Sequence, residues 1–266
     1  MKGDRTRQSI LDRAVDVASV EGLEGLTIGR LADELKMSKS GLFAHFGSKE
    51  ELQLAAIEAA SLRFIDVVVR PALKKPRGYP RLVALCQSWL SYVKHSVFPG
   101  GCFFAAASFE FDGRPGVVRD AVAAQMSDWM AALERAIRMA KDEGHVDPKL
   151  DPAQLAFELN AFFFGANYSF NLQHDARAFD RARNAIELRL EAVRTPGLKR
   201  RHQKAARGGR ATSALAREDR TGSRGSNNDP RTIQNEARMG QTLTRKQSKT
   251  AHKVPKRTAR AVKHST

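Results

Sequence analysis

Residues 36–52 read KMSKSGLFAHFGSKEEL. Lysines, serines, a glycine and a histidine crowd around very few apolar side chains, too few for a helix that only fills a core. At about 100° per residue, Leu42 and Phe46 fall together on one side of a helix. Ser40, Phe43 and Ala44 fall roughly opposite, with Lys39 at the edge. Ser38 is placed to cap this helix and Gly47 to end it. Ser48-Lys49-Glu50-Glu51 follows as a capping box, in which the Ser48 hydroxyl and the Glu51 carboxylate each satisfy a free backbone donor. The spacing predicts a short helix, anchored on one face and offering the other to something negatively charged.

Working outward, a first helix is predicted over about residues 5–21, with Ile10, Ala14, Val17 and Ala18 on one stripe and Gly22 at its end. Thr27 opens a second helix whose Leu31 and Leu35 share a face, and Lys36-Met37 turns the chain into the third. Two short helices joined by a tight turn, the second exposing polar residues, form a helix-turn-helix. Its second helix fits the DNA major groove while apolar residues hold its back. Small residues at Gly41 and Ala44 let that backbone approach the duplex. Downstream, LQLAAIEAASLRFIDVVV continues a long fourth helix, expected to end near Arg70-Pro71 because proline disfavours helix at the residue before it. Helical periodicity recurs over about residues 79–98, 103–111, 116–143, 152–173 and 176–194, and no run alternates like a strand. The fold class is all-α, with an N-terminal three-helix head.

The strings TIGRLADEL at 27–35 and SKSGLFAHFGSKEEL at 38–52 resemble the DNA-binding head of the tetracycline-repressor (TetR) family. That resemblance implies a dimeric, all-helical repressor with a C-terminal helical bundle for ligand binding and dimerisation. It implies that Lys39, Ser40 and Gly41 face base edges or the groove, and that Thr27, Phe43, His45 and Lys49 lie at the phosphate backbone. Residues 1–52 carry 8 basic and 9 acidic side chains, so DNA binding rests on where Arg30, Lys36, Lys39 and Lys49 sit rather than on their total. Three features depart from the family pattern. Lys36-Met37 stands where Gly-Val is usual, Phe43 replaces a tyrosine and lacks its hydroxyl, and the family does not require the tail.

That tail dominates the charge. Residues 198–266 hold 19 Lys and Arg against 4 Asp and Glu, and none of the chain's Phe, Tyr or Trp. Such a segment cannot bury enough apolar surface to offset its ordering entropy, so it is expected to be a disordered polybasic arm. The expected organisation is therefore a DNA-binding domain at 1–52, an effector-binding and dimerisation domain at 53–197, and the tail at 198–266. Polycations bind DNA without regard to sequence, which makes an architectural, nucleoid-associated protein the rival reading. Cys86 and Cys102 are too few for a disulfide scaffold and lack metal-ligand spacing. With no hydrophobic leader and no apolar run of bilayer length, the expected location is the bacterial cytoplasm or nucleoid, without a membrane partner. No metal or cofactor is expected.

For an apolar effector pocket the candidates are Trp89, Tyr92, Cys102, Phe103, Phe104, Met126, Trp129 and Met130, although core packing explains them equally well. Cys102 opens a predicted helix, where the dipole can lower a thiol pKa; it is read as an oxidant or electrophile sensor or as an inert buried thiol. Aromatic residues run nearly all round the 152–173 helix, so it must be buried on several sides. Because the family pairs its last two long helices, Phe157, Phe163, Phe164, Tyr168, Ile186 and Leu190 are the dimer-interface candidates. Glu110, Asp112 and Asp120 accompany no nucleophile, histidine or phosphate loop and are read as exposed helix ends, so no enzyme is expected.

Overall fold

The computed structural model describes residues 2–195, and the expected basic arm lies outside them. Among the described residues the secondary structure is helical apart from one isolated bridge between Val146 and Arg194. The head comprises α1 (Lys2–Glu21), α2 (Ile28–Leu35) and α3 (Lys39–Phe46). Local chemistry sets each boundary. Gly22, at φ 84°, ends α1. Thr27 Oγ1 accepts from the Arg30 N–H at 3.0 Å and starts α2. Lys36 closes α2 in the left-handed region, at φ 54° and ψ 40°. Met37 N–H then reaches back to the Ala32 carbonyl at 3.0 Å, the backbone arrangement usually built with glycine. Ser38 Oγ caps α3 through the Gly41 N–H at 3.1 Å.

After α3 the expected capping box is half realised. Ser48 Oγ accepts from the Glu51 N–H at 3.0 Å. The Ser48 N–H, however, donates to the Phe46 carbonyl at 2.7 Å. That bond spans Gly47 at φ 70° and ψ −42°, so a γ-turn uses the donor assigned to Glu51.

The helix that follows does not stop at Pro71. α4 (Lys49–Phe64) runs into a π-helical segment, Ile65–Val69, and continues as α5 (Arg70–Leu73). Proline has no N–H, and its ring clashes with the carbonyl four residues back. A widened turn relieves both problems: Arg70 N–H bonds to Ile65, five residues back, and the axis carries on. The boundary rule failed because the chain loosened the helix instead of ending it.

The body is built from α6 (Tyr79–Lys94), α7 (Phe103–Phe111), α8 (Val117–Asp142), α9 (Pro152–Asn171) and α10 (Ala178–Val193). Its centre is aromatic. Trp89 stacks on Phe163 at 4.5 Å between ring centroids, and Phe64 meets Tyr92, Phe104 and Trp129 edge-on. Edge-to-face pairs add to area burial, so this cluster ties α4 to α6, α7, α8 and α9. Asp151 Oδ1 accepts from Ala153 N–H at 2.9 Å and caps α9. At α6 no residue of its own supplies a side-chain cap; His145 Nδ1 accepts from the Tyr79 N–H at 3.1 Å instead. Among the described residues, no helix is long and apolar enough to cross a membrane.

Candidate nucleic-acid interface

The reading of α3 rests on two side chains. Leu42 is 0 % exposed and Phe46 3 %, so both lie in the core of the head. Lys39, Ser40, Phe43 and Ala44 are exposed, and Phe43 reaches 57 %. The helix is thus held from behind with its polar face outward. Gly41 is tightly placed: a β-carbon there would lie 3.1 Å from Ser38 Oγ. The Lys39 side chain lies along α2, where a β-carbon on Gly29 would meet its Cε at 3.6 Å and Nζ at 3.7 Å. His45 is half-buried, its ring tilted 6.2 Å from that of Phe46. Thr27 is also half-buried, its hydroxyl engaged as a cap.

The four cations expected to meet DNA divide into two pairs. Lys36 and Lys39 are exposed and form no ion pair among the described residues. Arg30 is held: its Nε lies 2.9 Å from Glu21 Oε2 and its Nη1 2.8 Å from Glu34 Oε2. Hydrogen bonds donated to Glu21, then to Glu34, raise the Arg30 pKa. Glu34 also pairs with Arg13. Lys49 Nζ sits 2.6 Å from Glu24 Oε1, and that bond holds the Glu24 carboxylate below its ordinary range. Arg30 and Lys49 are thus already paired with carboxylates, and a phosphate approaching them meets that competition. Glu21 and Glu24 lie 9 and 25 residues away in sequence, beyond any local pattern, whereas Glu34 stands four residues on from Arg30, the spacing at which helical side chains pair.

Two further residues were not expected at this site. Gln53, 3 % exposed, donates from Nε2 to the Leu23 carbonyl at 2.7 Å; its place within the apolar stripe of α4 was the available signal. Glu110, read as a plain exposed helix end, instead accepts from the Leu23 N–H at 2.7 Å and the Glu24 N–H at 2.9 Å.

In the body, the effector candidates Trp89, Tyr92, Cys102, Phe103, Phe104 and Trp129 are buried, while Met126 and Met130 are half-buried. Ring contacts join Trp89 to Tyr92 and Phe103 to Phe104, and Phe64 bridges Tyr92, Phe104 and Trp129. An open cleft of about 500 Å³ beside Val67, Pro71 and Ser91 reaches Tyr92 alone among them. The Tyr92 hydroxyl is buried and, beyond the adjacent Cys102 thiol, has no hydrogen-bond partner among the described residues. Burial, then the neighbouring Cys102 thiol, pushes the Tyr92 phenol well above its ordinary range. Cys102 does cap α7, its Sγ accepting from the Ala105 N–H at 3.3 Å. Burial nevertheless raises the thiol, so desolvation outweighs the expected lowering by the helix terminus.

The interface candidates also divide. Phe163, Ile186 and Leu190, expected at the dimer interface, are buried in the subunit's own core and offer no surface to a second copy. Phe157 and Tyr168 are exposed at 65 % and 52 %, and Phe164 is half-buried. Leu188 on α10 and Leu172, the residue that closes α9, are absent from the expected set and exposed.

Comparison with known proteins adds an independent result. The family pattern described as "Bacterial regulatory proteins, tetR family" matches residues 10–56, and "Tetracyclin repressor-like, C-terminal domain" matches residues 78–186. The HTH-type transcriptional repressor NicS of Pseudomonas putida is 36% identical over 100 residues, covering 36% of this chain and 46% of NicS. The HTH-type transcriptional repressor AcnR of Corynebacterium glutamicum is 37% identical over 86 residues, 29% of this chain and 46% of AcnR. The chain thus spans less than half the length of each of these curated relatives. A TetR transcriptional regulator from Chloroflexus aurantiacus has the same fold, with a TM-score of 0.68 at 23% identity over 73% of this chain and 98% of that one. A TetR-family regulator from Cytophaga hutchinsonii gives 0.65 at 20% identity, again over 73% and 98%.

Proposed function

The chain belongs to the tetR family of bacterial transcriptional regulators, and from that premise we propose that it is a ligand-responsive repressor binding a near-palindromic operator as a homodimer. One observation carries the reading: α3 is clamped by buried Leu42 and Phe46 while Lys39, Ser40 and Phe43 face outward. In a dimer each α3 enters the major groove of one half-site, with Lys39, Ser40 and Gly41 at the bases. Thr27, Lys36, Phe43 and His45 follow the backbone, and Arg30 and Lys49 join them when phosphate displaces their carboxylates. The exposed apolar residues of α9 and α10, Phe157, Tyr168, Leu172 and Leu188, are the surface offered to the second copy.

Release by a small molecule is supported by the interior of the body. Among the described residues the Tyr92 hydroxyl has only the weak Cys102 thiol beside it in an aromatic setting, where leaving a buried donor unsatisfied costs about 1–3 kcal/mol. A ligand acceptor entering beside Tyr92 recovers that cost. Its binding shifts the body toward a conformation in which the two heads no longer match their half-sites.

The rival architectural reading draws on the surplus charge of residues 198–266. One experiment separates the two: selection of genomic fragments by the full chain in about 0.2 M salt, where nonspecific binding fades. The repressor reading expects a few fragments sharing an inverted repeat. Uniform recovery of random fragments refutes it and favours the architectural role.

A further inference from the structure

We propose that Glu110 is a positioning residue that fixes the angle of the DNA-contacting head on the body, and so sets the half-site spacing a dimer accepts. The inference rests on the two-half-site reading above and adds to it a specificity determinant outside the helix-turn-helix. It begins with the backbone after α1. Gly22 turns the chain at φ 84°, leaving the next two N–H groups without helical partners. Glu110, on α7, accepts both, at 2.7 Å from Leu23 and 2.9 Å from Glu24. Hydrogen bonds to an ionised acceptor are about twice as strong as neutral ones, and two on one carboxylate fix direction as well as distance. The fit is close: a β-carbon on Gly22 would lie 2.9 Å from Glu110 Oε1.

The gripped loop is also a junction within the head. The Leu23 carbonyl receives Gln53 Nε2 at 2.7 Å, and the Glu24 carboxylate receives Lys49 Nζ at 2.6 Å. Both donors lie on the first two turns of α4, directly after α3. A body helix therefore holds by its backbone the same short loop that steadies the end of the helix-turn-helix. A second docking point prevents simple pivoting about the first. The Gly100 N–H donates to Ser19 Oγ at 3.2 Å, and a β-carbon on Gly100 would fall 1.6 Å from the Ser19 carbonyl oxygen. Gly100 meets the last turn of α1, Arg63 of α4 pairs with Asp16 at 2.7 Å, and Arg114 lies 3.9 Å from Glu24; loss of Glu110 removes the directional grip beyond the end of α1, loosening the angle of the head while leaving its core intact.

The test uses the full chain and an inverted repeat recovered in the genomic selection, alongside the same duplex with its half-sites separated by one additional base pair. Wild type is expected to bind the lengthened site at least tenfold more weakly. Glu110→Ala is expected to reduce that ratio below threefold. Glu110→Gln, which keeps one acceptor oxygen, is expected to give an intermediate ratio. A purely stabilising role for Glu110 would lower the melting temperature and leave the ratio unchanged. A wild-type ratio retained by both variants, or by Glu110→Gln if the alanine variant does not fold, overturns the proposal. If wild type itself ignores the added base pair, the two-half-site reading fails, and that pattern is distinct from failure of Glu110 alone.

Discussion

Lys36 offers a measurement in which stability and DNA binding should move in opposite directions. It sits at φ 54° and ψ 40°, where a β-carbon crowds the following carbonyl at a cost of about 1–2 kcal/mol. Glycine removes that crowding but loses roughly 0.5–1 kcal/mol more on folding through its freer unfolded chain. Lys36 is exposed and makes no ion pair among the described residues, so no contact is lost in the exchange. Lys36→Gly should therefore stabilise the fold by about 0.5–1 kcal/mol, raising the melting temperature by about 1–4 °C. It should also weaken binding to a selected operator and reduce the slope of log affinity against log salt by about 0.9, the share of one phosphate contact. Lys36→Ala keeps the strain and removes the ammonium, so it should match the glycine variant on DNA without gaining stability. Scanning calorimetry and fluorescence-anisotropy titrations at several salt concentrations provide the readouts. A glycine variant that melts no higher than the alanine variant refutes the strain argument, and an unchanged salt slope in both removes Lys36 from the DNA surface.

Phe43→Tyr adds a hydroxyl to an exposed ring and should tighten operator binding by about 1 kcal/mol, one hydrogen bond, with unchanged sequence preference; equal or weaker affinity in the same titration rejects its place at the phosphates. Both thiols should resist labelling by an aromatic disulfide reagent at pH 8 until the protein unfolds, and rapid labelling of Cys102 in the folded protein would restore the sensing idea. Burial lifts Cys86 from an ordinary 9.0 to about 12, so between those values the unfolded thiol releases its proton while the folded one retains it. That contribution to stability is complete below pH 9 and declines toward pH 12, and denaturant midpoints that stay flat over this window for wild type relative to Cys86→Ala would contradict it. A chain ending at Gly197 should keep its helical circular dichroism and dimerisation but bind DNA with a flatter salt dependence; an unchanged slope means that the basic arm does not touch DNA.

The sequence revealed most where structure is governed over a few residues. Thr27, Ser38, Ser48 and Asp151 act as caps because the donors they satisfy lie two or three residues ahead. The inward turn of Leu42 and Phe46 follows from helical spacing alone. Competition between local preferences was harder to read. Pro71 predicted a break, but a π segment accommodated it, and Gly47 formed a γ-turn where a capping box left room for one. Pairings across the fold were invisible. Nothing near Arg30 announces Glu21, nothing near Lys49 announces Glu24, and Glu110 lies 86 residues from Glu24, whose N–H it holds. In α9, apolar residues on nearly every side cannot indicate which face meets its own bundle, so Phe163 could not be separated from Phe157 by pattern.

The carboxylates that occupy Arg30 and Lys49 have a consequence for how such a protein searches a genome. On the proposed repressor reading, a duplex of arbitrary sequence gains less at these positions than at Lys36 and Lys39, because its phosphates compete with carboxylates already in place. Only a site whose bases also engage α3 recovers what that exchange leaves undone. On that proposal the head resists indiscriminate adhesion, and long-range capture falls to the surplus positive charge beyond residue 197. The proposal thereby assigns discrimination and recruitment to different stretches of one polypeptide.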